Sequence, residues 1–281
     1  MTHVPIHTPS TSHSTSHSTS SRTRRRRRAA WPWLALTLLA IGVFAGWPGI
    51  DLAVSQAARQ AGGEGAPAYA WGLHPLVQAV YWTVPWIGRL ALLAGLVLMA
   101  WRRPVSPGLQ RWRARAPWIV AMLVLGVWLV VNAGFKEHWG RPRPAAVETL
   151  GGSQPFRSIA QPSALCDSNC SFPSGHAAQG YAVMVIGLLA APGRRRRWAR
   201  IGLLAGLLVG AGRVLQGGHF LSDILFAGLM VWGVALLLRA VAVRGRARRM
   251  QRGLQRGMPH PGAGADPAAV ISRSRPLSNI R

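Results

Sequence analysis

The chain has 281 residues, of which 49% are hydrophobic and 14% are charged. Soluble domains carry about 25% charged residues, so this composition, together with long apolar runs, indicates a membrane protein. The formal net charge of +26 could suggest nucleic-acid binding, but the arginines form clumps between the apolar runs, which argues against that class.

Six apolar stretches are predicted to cross the membrane. Each can span about 30 Å of hydrocarbon at roughly 1.5 Å per residue, and they lie near 31–50, 84–101, 117–135, 175–192, 200–216 and 220–243. This pattern predicts an all-α, polytopic six-transmembrane-helix bundle over residues 31–243. The flanking segments 1–30 and 244–281 are predicted to be disordered basic tails. The first span could also be a cleaved signal peptide, but its long core and the lack of a small-x-small site before Gly49 favour an uncleaved anchor.

The arginines predict how these spans are oriented. Of the 33 basic residues, 26 fall in the N-terminal tail, in or beside the loops after the second and fourth spans, and from Arg239 onward. The positive-inside rule places these segments, and therefore both termini, on the cytoplasmic side of a bacterial inner membrane. The loops after the first, third and fifth spans then face the periplasm.

Three polar clusters lie at the ends of the spans, all on the predicted periplasmic side. The first cluster is Lys136, Arg143 and Pro144, the second is the Pro-Ser-Gly-His of 173–176, and the third is Arg213, His219 and Asp223. Lys136 is the only lysine of the chain. Three cations, two histidines and a carboxylate at one surface suit the binding of a phosphate, attack on it and protonation of the leaving group.

His219 and Asp223 are four residues apart at the start of a predicted helix, so they share one face. A carboxylate beside an imidazole fixes its tautomer and stabilises positive charge on the ring. His219 is therefore the candidate nucleophile and Asp223 the candidate residue that orients it. The alternative is an ordinary acidic residue at a helix N-terminus, but a charge at the bilayer surface favours a functional role.

The second cluster opens the fourth predicted span. Ser174 is a good N-cap residue, and Gly175 lets backbone N–H groups approach an anion at the helix N-terminus. His176 is the candidate general acid. An ordinary N-cap is the alternative interpretation.

Lys136, Arg143 and Arg213 are candidate phosphate ligands, with Ser174 and Gly175 beside them. The alternative for these cations is snorkelling of long side chains to the membrane interface. We prefer that alternative for Arg141 and Arg157.

Cys166 and Cys170, the only cysteines, lie in the Gly-, Pro- and Ser-rich loop 140–175, which is expected to cover the site. A small disulfide is expected on the periplasmic side, with free thiols as the alternative. No Cys/His set has zinc spacing and no carboxylate cluster could hold magnesium, so neither a metal nor a cofactor is expected. In the other long periplasmic loop, segment 71–82 is predicted to lie at the interface, where it packs against the bundle or guides a lipid to the site.

The three clusters resemble the signature of the type-2 phosphatidic acid phosphatase superfamily, integral-membrane branch: Lys-x6-Arg-Pro, Pro-Ser-Gly-His and Ser-Arg-x5-His-x3-Asp. One position departs, because Gly212 stands where the family usually has serine. The resemblance implies a phosphohistidine on His219, oriented by Asp223, with His176 as the general acid. It also implies phosphate binding by a set of five residues: Lys136, Arg143, Arg213, Ser174 and Gly175.

The function expected from this sequence is hydrolysis of a phosphate monoester or diphosphate on a membrane lipid, without metal. Lipid A, undecaprenyl diphosphate, phosphatidylglycerol phosphate and phosphatidic acid are the candidate substrates, and the stretch 166–176 looks like bacterial lipid A phosphatases. A lipid phosphotransferase that uses the same phosphohistidine is the alternative, and a non-enzymatic lipid transporter is a third. The expected partners are the lipid substrate and the bilayer, with no nucleic acid and no obligate protein partner.

Overall fold

The computed structural model describes residues 17–257 and the side chains of residues 30–252. The chain divides into a unit that ends at Arg239 and a unit that begins at Ala240. Within the described residues, the second unit holds the last turns of the C-terminal helix. The site and every contact described below lie in the first unit.

The described chain contains seven α-helices and no β-strand. They are α1 (His17–Gly46), α2 (Gly49–Gln60), α3 (Pro75–Ala100), α4 (Pro107–Ala121), α5 (Gly175–Ala182), α6 (Pro192–Leu215) and α7 (Leu221–Gly257). α4 continues as a π-helical stretch, Met122–Lys136, and α5 continues as a 3-10 stretch, Val183–Gly187. This architecture confirms the predicted all-α membrane fold class.

Four of these helices are long and apolar enough to cross a membrane: α3, α4 with its π-helical continuation, α6, and α7 as far as Arg252. The predicted spans 84–101, 117–135, 200–216 and 220–243 match them to within a residue or two at the C-terminal ends of the first three. Proline occupies the first turn of α3, α4 and α6, where its missing N–H costs no helical hydrogen bond. The N-terminal starts therefore lie earlier than the apolar runs alone indicate.

The first predicted span, 31–50, is broken near its end. α1 stops at Gly46 and α2 begins at Gly49, and the two helices, taken from Ala30, are bent by 77°. Pro48 explains the break, because it lacks an N–H and disfavours helical geometry at Trp47 before it. As a result, α2 turns into the bundle and buries Asp51.

The fourth predicted span, 175–192, is a short broken helix. α5 has eight residues and its 3-10 continuation has five, so together they rise about 22 Å. The segment is not among the helices long enough to span a membrane. It packs closely on α6, because a Cβ at Gly180 would lie 2.8 Å from the Cα of Gly206. The count of six full spans was therefore approximate.

The predicted tails 1–30 and 244–281 lie partly outside the described residues, which exclude 1–16 and 258–281. Within the described part, residues 17–30 belong to α1 and residues 244–257 belong to α7. Arginine is a good helix former, which is consistent with these helical continuations.

The loop between Lys136 and Gly175 folds back onto the bundle. It contains two short 3-10 turns, Pro144–Ala146 and Glu148–Leu150, and a cis peptide bond before Pro173. A disulfide joins Cys166 to Cys170, whose Cα atoms are 5.7 Å apart. Apolar side chains anchor the loop: Ile159 and Phe172 are buried with Phe44 and Phe226. The anchoring places Ser171, the neighbour of Phe172, inside the protein.

The segment 71–82 is not one interfacial element. Its residues from Pro75 onward form the first two turns of α3. Before it, Tyr69 is buried, and a Cβ at Gly72 would come within 2.5 Å of the Leu215 carbonyl oxygen. Leu73 and Leu76, by contrast, are largely exposed. The inner side of the segment thus packs against the end of α6. This agrees with the expectation that the segment packs against the bundle.

Candidate active site

The structure brings the three clusters together at one end of the bundle. Lys136 ends the π-helical stretch, Ser174 caps α5, Arg213 lies in the last turn of α6, and Asp223 lies in the first turn of α7. Besides burial, which has the largest effect, Arg213, Lys136 and Arg143 lower the pKa of His176, and Lys136 and Arg213 lower that of His219. Lys136 and Arg213 therefore lie near both histidines, and Arg143 lies near His176.

His219 lies in the turn between α6 and α7 and is fully buried. Its Nδ1 is 2.6 Å from the carbonyl oxygen of Ser171, and since a carbonyl can only accept, Nδ1 carries the hydrogen. Its Nε2 has no hydrogen-bond partner within the described part of the chain. Burial, opposed by Asp223 and reinforced by Lys136, lowers the pKa of His219 to about 3. The ring is therefore neutral at pH 7, with a free lone pair on Nε2.

Asp223 acts on His219 both directly, as a nearby charge, and through Ser171. The carboxylate Oδ2 lies 3.6 Å from His219 Nδ1, which is ion-pair distance rather than hydrogen-bond distance. The Ser171 hydroxyl donates a short hydrogen bond to that same oxygen, while the Ser171 carbonyl accepts from Nδ1. The Phe220 N–H, 2.8 Å away, also donates to Oδ2. Asp223 thus fixes the backbone group that sets the tautomer of His219.

Arg141 contradicts the expectation that it snorkels to the interface. Its side chain is fully buried, and its guanidinium lies 4.1 Å from the ring centroid of Phe220. It donates four hydrogen bonds, at 2.6 to 2.8 Å, to the Asp51 carboxylate, the Asp223 carboxylate, the Ser222 hydroxyl and the Arg157 carbonyl. Sequence reasoning missed this role because the two carboxylates that hold Arg141 are distant along the chain.

The side chain of Arg157 is half-buried, and its Nε is buried without a hydrogen-bond partner in the described structure. Its part in the site comes through its backbone carbonyl, which accepts from Arg141 at 2.8 Å.

His176 is held against Tyr81 of α3. The two rings stack with centroids 4.9 Å apart, and His176 Nε2 lies 3.2 Å from the Tyr81 carbonyl oxygen. The Arg213 guanidinium lies 4.6 Å from the centroid of the same tyrosine ring. Burial and then Arg213 lower the pKa of His176, which lies outside the spanning helices, to about 4. Tyr81 was missed from the sequence, where it gave no signal beyond being one of three tyrosines.

Ser174 and Gly175 form a tight helix start. The Ser174 hydroxyl accepts from the Ala177 N–H at 3.4 Å, and the Ser174 N–H donates to the Asp223 backbone carbonyl at 3.2 Å. A Cβ at Gly175 would lie 2.6 Å from the side-chain oxygen of Asn132. A side chain at this position would require the Asn132 side chain to shift, and with glycine the backbone can approach a ligand closely.

The three candidate phosphate ligands are cations without carboxylate partners in the described structure. Lys136 is buried, Arg143 donates to the Asn169 carbonyl at 2.8 and 3.3 Å, and Arg213 donates to the side chain of Gln216. Within the described chain, the buried Nε of Arg213 has no hydrogen-bond partner. Buried cations are costly unless they are paired, so this arrangement favours binding of an anion. Among the described residues, no three His, Cys, Asp or Glu side chains converge as a metal site requires.

Comparison with known proteins agrees with this arrangement. The model of the PAP2 superfamily matches residues 116–248. A lipid A 4'-phosphatase of Francisella tularensis subsp. novicida is 40% identical over 123 residues, which is 43% of this chain and 55% of that protein. Lipid A 4'-phosphatases of Rhizobium etli and Rhizobium leguminosarum are each 31% identical over 224 residues, which is 74% of this chain and 84% and 93% of theirs. The chain thus spans about half the length of the first relative and most of the other two. No solved structure matches the chain significantly.

Proposed function

Because this chain belongs to the PAP2 superfamily, we propose that it is a membrane lipid phosphatase that hydrolyses a phosphate monoester or diphosphate through a phosphohistidine. One observation carries the proposal. In the described structure, the Nε2 of His219 has no hydrogen-bond partner on a ring that is neutral at pH 7, and two nearby cations, Lys136 and Arg213, have no carboxylate partner. This combination supplies a nucleophile and a receptor for the phosphate that it attacks.

In the first half-reaction, Lys136, Arg143 and Arg213 bind the phosphate oxygens, with Ser174 and the N–H groups at the start of α5 beside them. His219 Nε2 attacks phosphorus as the bond to the leaving oxygen breaks, and that oxygen takes a proton from His176. The histidine ring gains positive charge in this step. Asp223, with Ser171 holding Nδ1, stabilises that charge.

Phosphate binding prepares His176 for its role. Burial and then three cations, Arg213 first, lower its pKa before phosphate binds, so its neutral form dominates at pH 7. A bound phosphate dianion offsets those cations and raises the pKa of His176. In the second half-reaction, His176 accepts a proton from water, water attacks phosphorus, and the bond to His219 breaks to release inorganic phosphate. No step requires a metal ion.

The site is proposed to face the periplasm of a bacterial inner membrane, with both termini in the cytoplasm. The positive-inside distribution of arginines supports this orientation. Lipid A is the first substrate to test, because the relatives are lipid A 4'-phosphatases. Undecaprenyl diphosphate, phosphatidylglycerol phosphate and phosphatidic acid are the other candidates.

The test is phosphate release from these four lipids by detergent-purified protein in excess EDTA. We expect release from at least one lipid, its loss in His219→Ala, and its retention in His138→Ala. His138 is an exposed histidine two residues after Lys136, so it is a matched control. Undiminished turnover by His219→Ala would refute the mechanism. Label that moves from the substrate to an acceptor lipid, with no free phosphate, would identify a phosphotransferase instead.

A further inference from the structure

The carboxylate of Asp51, which none of the three clusters contains, is bonded into the catalytic network. Its Oδ1 accepts from the Ser222 backbone N–H at 2.9 Å, and its Oδ2 accepts from the Ser222 hydroxyl at 2.5 Å and from Arg141 at 2.8 Å. Asp51 is 1% exposed and Arg141 is fully buried. Asp51 lies in α2, outside the 116–248 range that matches the family.

Arg141 is shared between two carboxylates. One terminal nitrogen donates to Asp223 Oδ1 at 2.6 Å and the other donates to Asp51 Oδ2 at 2.8 Å. The Ser222 hydroxyl lies between them, accepting from Arg141 and donating to Asp51. With both acids ionised, one guanidinium faces two carboxylates, and the group keeps one net negative charge. Without Asp51, Arg141 would neutralise Asp223 completely.

The negative charge that remains on Asp223 can stabilise positive charge on the neighbouring ring of His219. The ring of His219 becomes cationic when Nε2 bonds to phosphorus, and its Nδ1 lies 3.6 Å from Asp223. A carboxylate already neutralised by an arginine stabilises a nearby cation less than one whose arginine is shared. Burying two acids and one arginine is also costly, and apolar side chains of similar volume are often as stable or more so. The arrangement is therefore poorly explained by stability alone.

We propose that Asp51 is a positioning residue of the phosphoryl-transfer reaction. By taking one side of Arg141, it fixes the orientation of Asp223 and leaves that carboxylate a net charge for the cationic ring of His219. Asp51 touches neither the substrate nor the reacting atoms. This inference rests on the proposed phosphohistidine function and assigns part of the site to a helix that precedes all three clusters.

The first test is Asp51→Asn, which keeps the shape of the side chain and removes its charge. We expect kcat to fall by roughly 10- to 100-fold, the range that coupling within one hydrogen-bonded network produces. KM should stay unchanged or fall, because the phosphate-binding cations are untouched and the site becomes less negative. Single-turnover formation of the phosphohistidine should slow by the same factor. A wild-type kcat, or a loss that appears in KM, would overturn the inference.

Two comparisons separate this role from ordinary packing. Ser55→Ala is the matched control in the same helix, because Ser55 is buried and its hydroxyl has no partner in the described structure. It should leave kcat unchanged. Asp51→Glu restores the charge and should recover part of the activity that Asp51→Asn loses.

The decisive test is the double variant Asp51→Asn with Arg141→Gln. If Asp51 acts by balancing Arg141, removing both charges should cost about tenfold less in kcat than the product of the two single losses. Losses that multiply would refute the charge balance. If Asp51→Asn does not fold, Ser222→Ala replaces it, since it removes the hydroxyl that accepts from Arg141 and donates to Asp51, and so loosens the position of Asp51 without changing charge. It should lower kcat with KM unchanged, and a wild-type kcat would count against the proposal.

The same experiments separate this inference from the proposed function. An active His219→Ala variant would refute the phosphohistidine mechanism itself. An inactive His219→Ala variant beside an Asp51→Asn variant with wild-type kcat would refute only the role of Asp51.

Discussion

The same substitution at Arg141 and Arg143, which lie two residues apart, should affect thermal stability strongly at the first position and only weakly at the second. Arg141 is fully buried and donates four hydrogen bonds, including those to Asp51 and Asp223. Arg143 is half-buried, and within the described structure it donates only to the carbonyl of Asn169. Replacing each by methionine removes a similar volume and the same charge, so the two variants are matched.

Arg141→Met leaves two buried carboxylates without their shared cation. Removing one partner of a buried ion pair costs about 3–5 kcal/mol. For a chain of this size, each kcal/mol lowers the melting temperature by about 2–4 °C, so we expect a decrease of roughly 6–20 °C. Arg143→Met loses bonds to a carbonyl near the surface, which contribute about 0.5–1.5 kcal/mol, and its melting temperature should fall by only a few degrees.

Activity should not follow stability in this pair. Arg143→Met loses a proposed phosphate ligand, so kcat/KM should fall by roughly 100-fold or more in a protein that still melts near the wild-type temperature. The assays are thermal unfolding in detergent and phosphate release below both melting temperatures. A melting temperature of Arg141→Met within about 2 °C of wild type would refute the buried network. Arg141→Lys, which keeps the charge, serves if the methionine variant cannot be purified.

Three further predictions concern the cations and the disulfide. Lys136 is buried and carries a compact ammonium, so Lys136→Arg should lower kcat/KM by roughly tenfold despite the retained charge; wild-type values would mean that any cation serves. Arg213 lowers the pKa of His176, so Arg213→Gln should raise that pKa and move the alkaline limb of the kcat–pH profile to higher pH; an unmoved limb would exclude His176 as the acid. The Cys166–Cys170 disulfide closes a loop that contains Asn169, and the Asn169 carbonyl accepts hydrogen bonds from Arg143. Reducing the disulfide, or replacing both cysteines by serine, should raise KM more than it lowers kcat. If a reductant also changed KM of the serine variant, the effect would not come from this disulfide.

Sequence spacing indicated the parts of the site that lie at the ends of helices. The distance from His219 to Asp223 is one helical turn, and the Pro-Ser-Gly-His segment starts a helix, so local periodicity was enough to group these residues. The positions of the helices followed from apolar runs in the same way. The predicted fourth span corresponds to a short broken helix, because an apolar run does not reveal where its helix is interrupted.

Asp51, Tyr81 and Arg141 could not be predicted, because their roles depend on where distant segments meet. Arg141 is recognisable as a charge near the bilayer, but its partners lie 90 residues before it and 82 residues after it. Tyr81 lies in segment 71–82, whose mixture of aromatic, apolar and polar residues is typical of a membrane interface and does not single out one side chain. Asp51 follows the break at Pro48, and only the direction of that 77° bend decides whether the carboxylate meets lipid, water or Arg141.

The contacts of Asp51 also set an order of events during synthesis. Arg141 is made 90 residues after Asp51, and Ser222 is made 171 residues after it. At bacterial rates of about 5–20 residues per second, these intervals are roughly 5–20 s and 10–35 s. During the first interval α2 carries an acid that has not yet met its cation, so it cannot take its buried place before Arg141, at the midpoint of the chain, has been made. His219, the proposed nucleophile, has Asp223 beside it only when α7 has been made, so the complete proposed site forms late in synthesis.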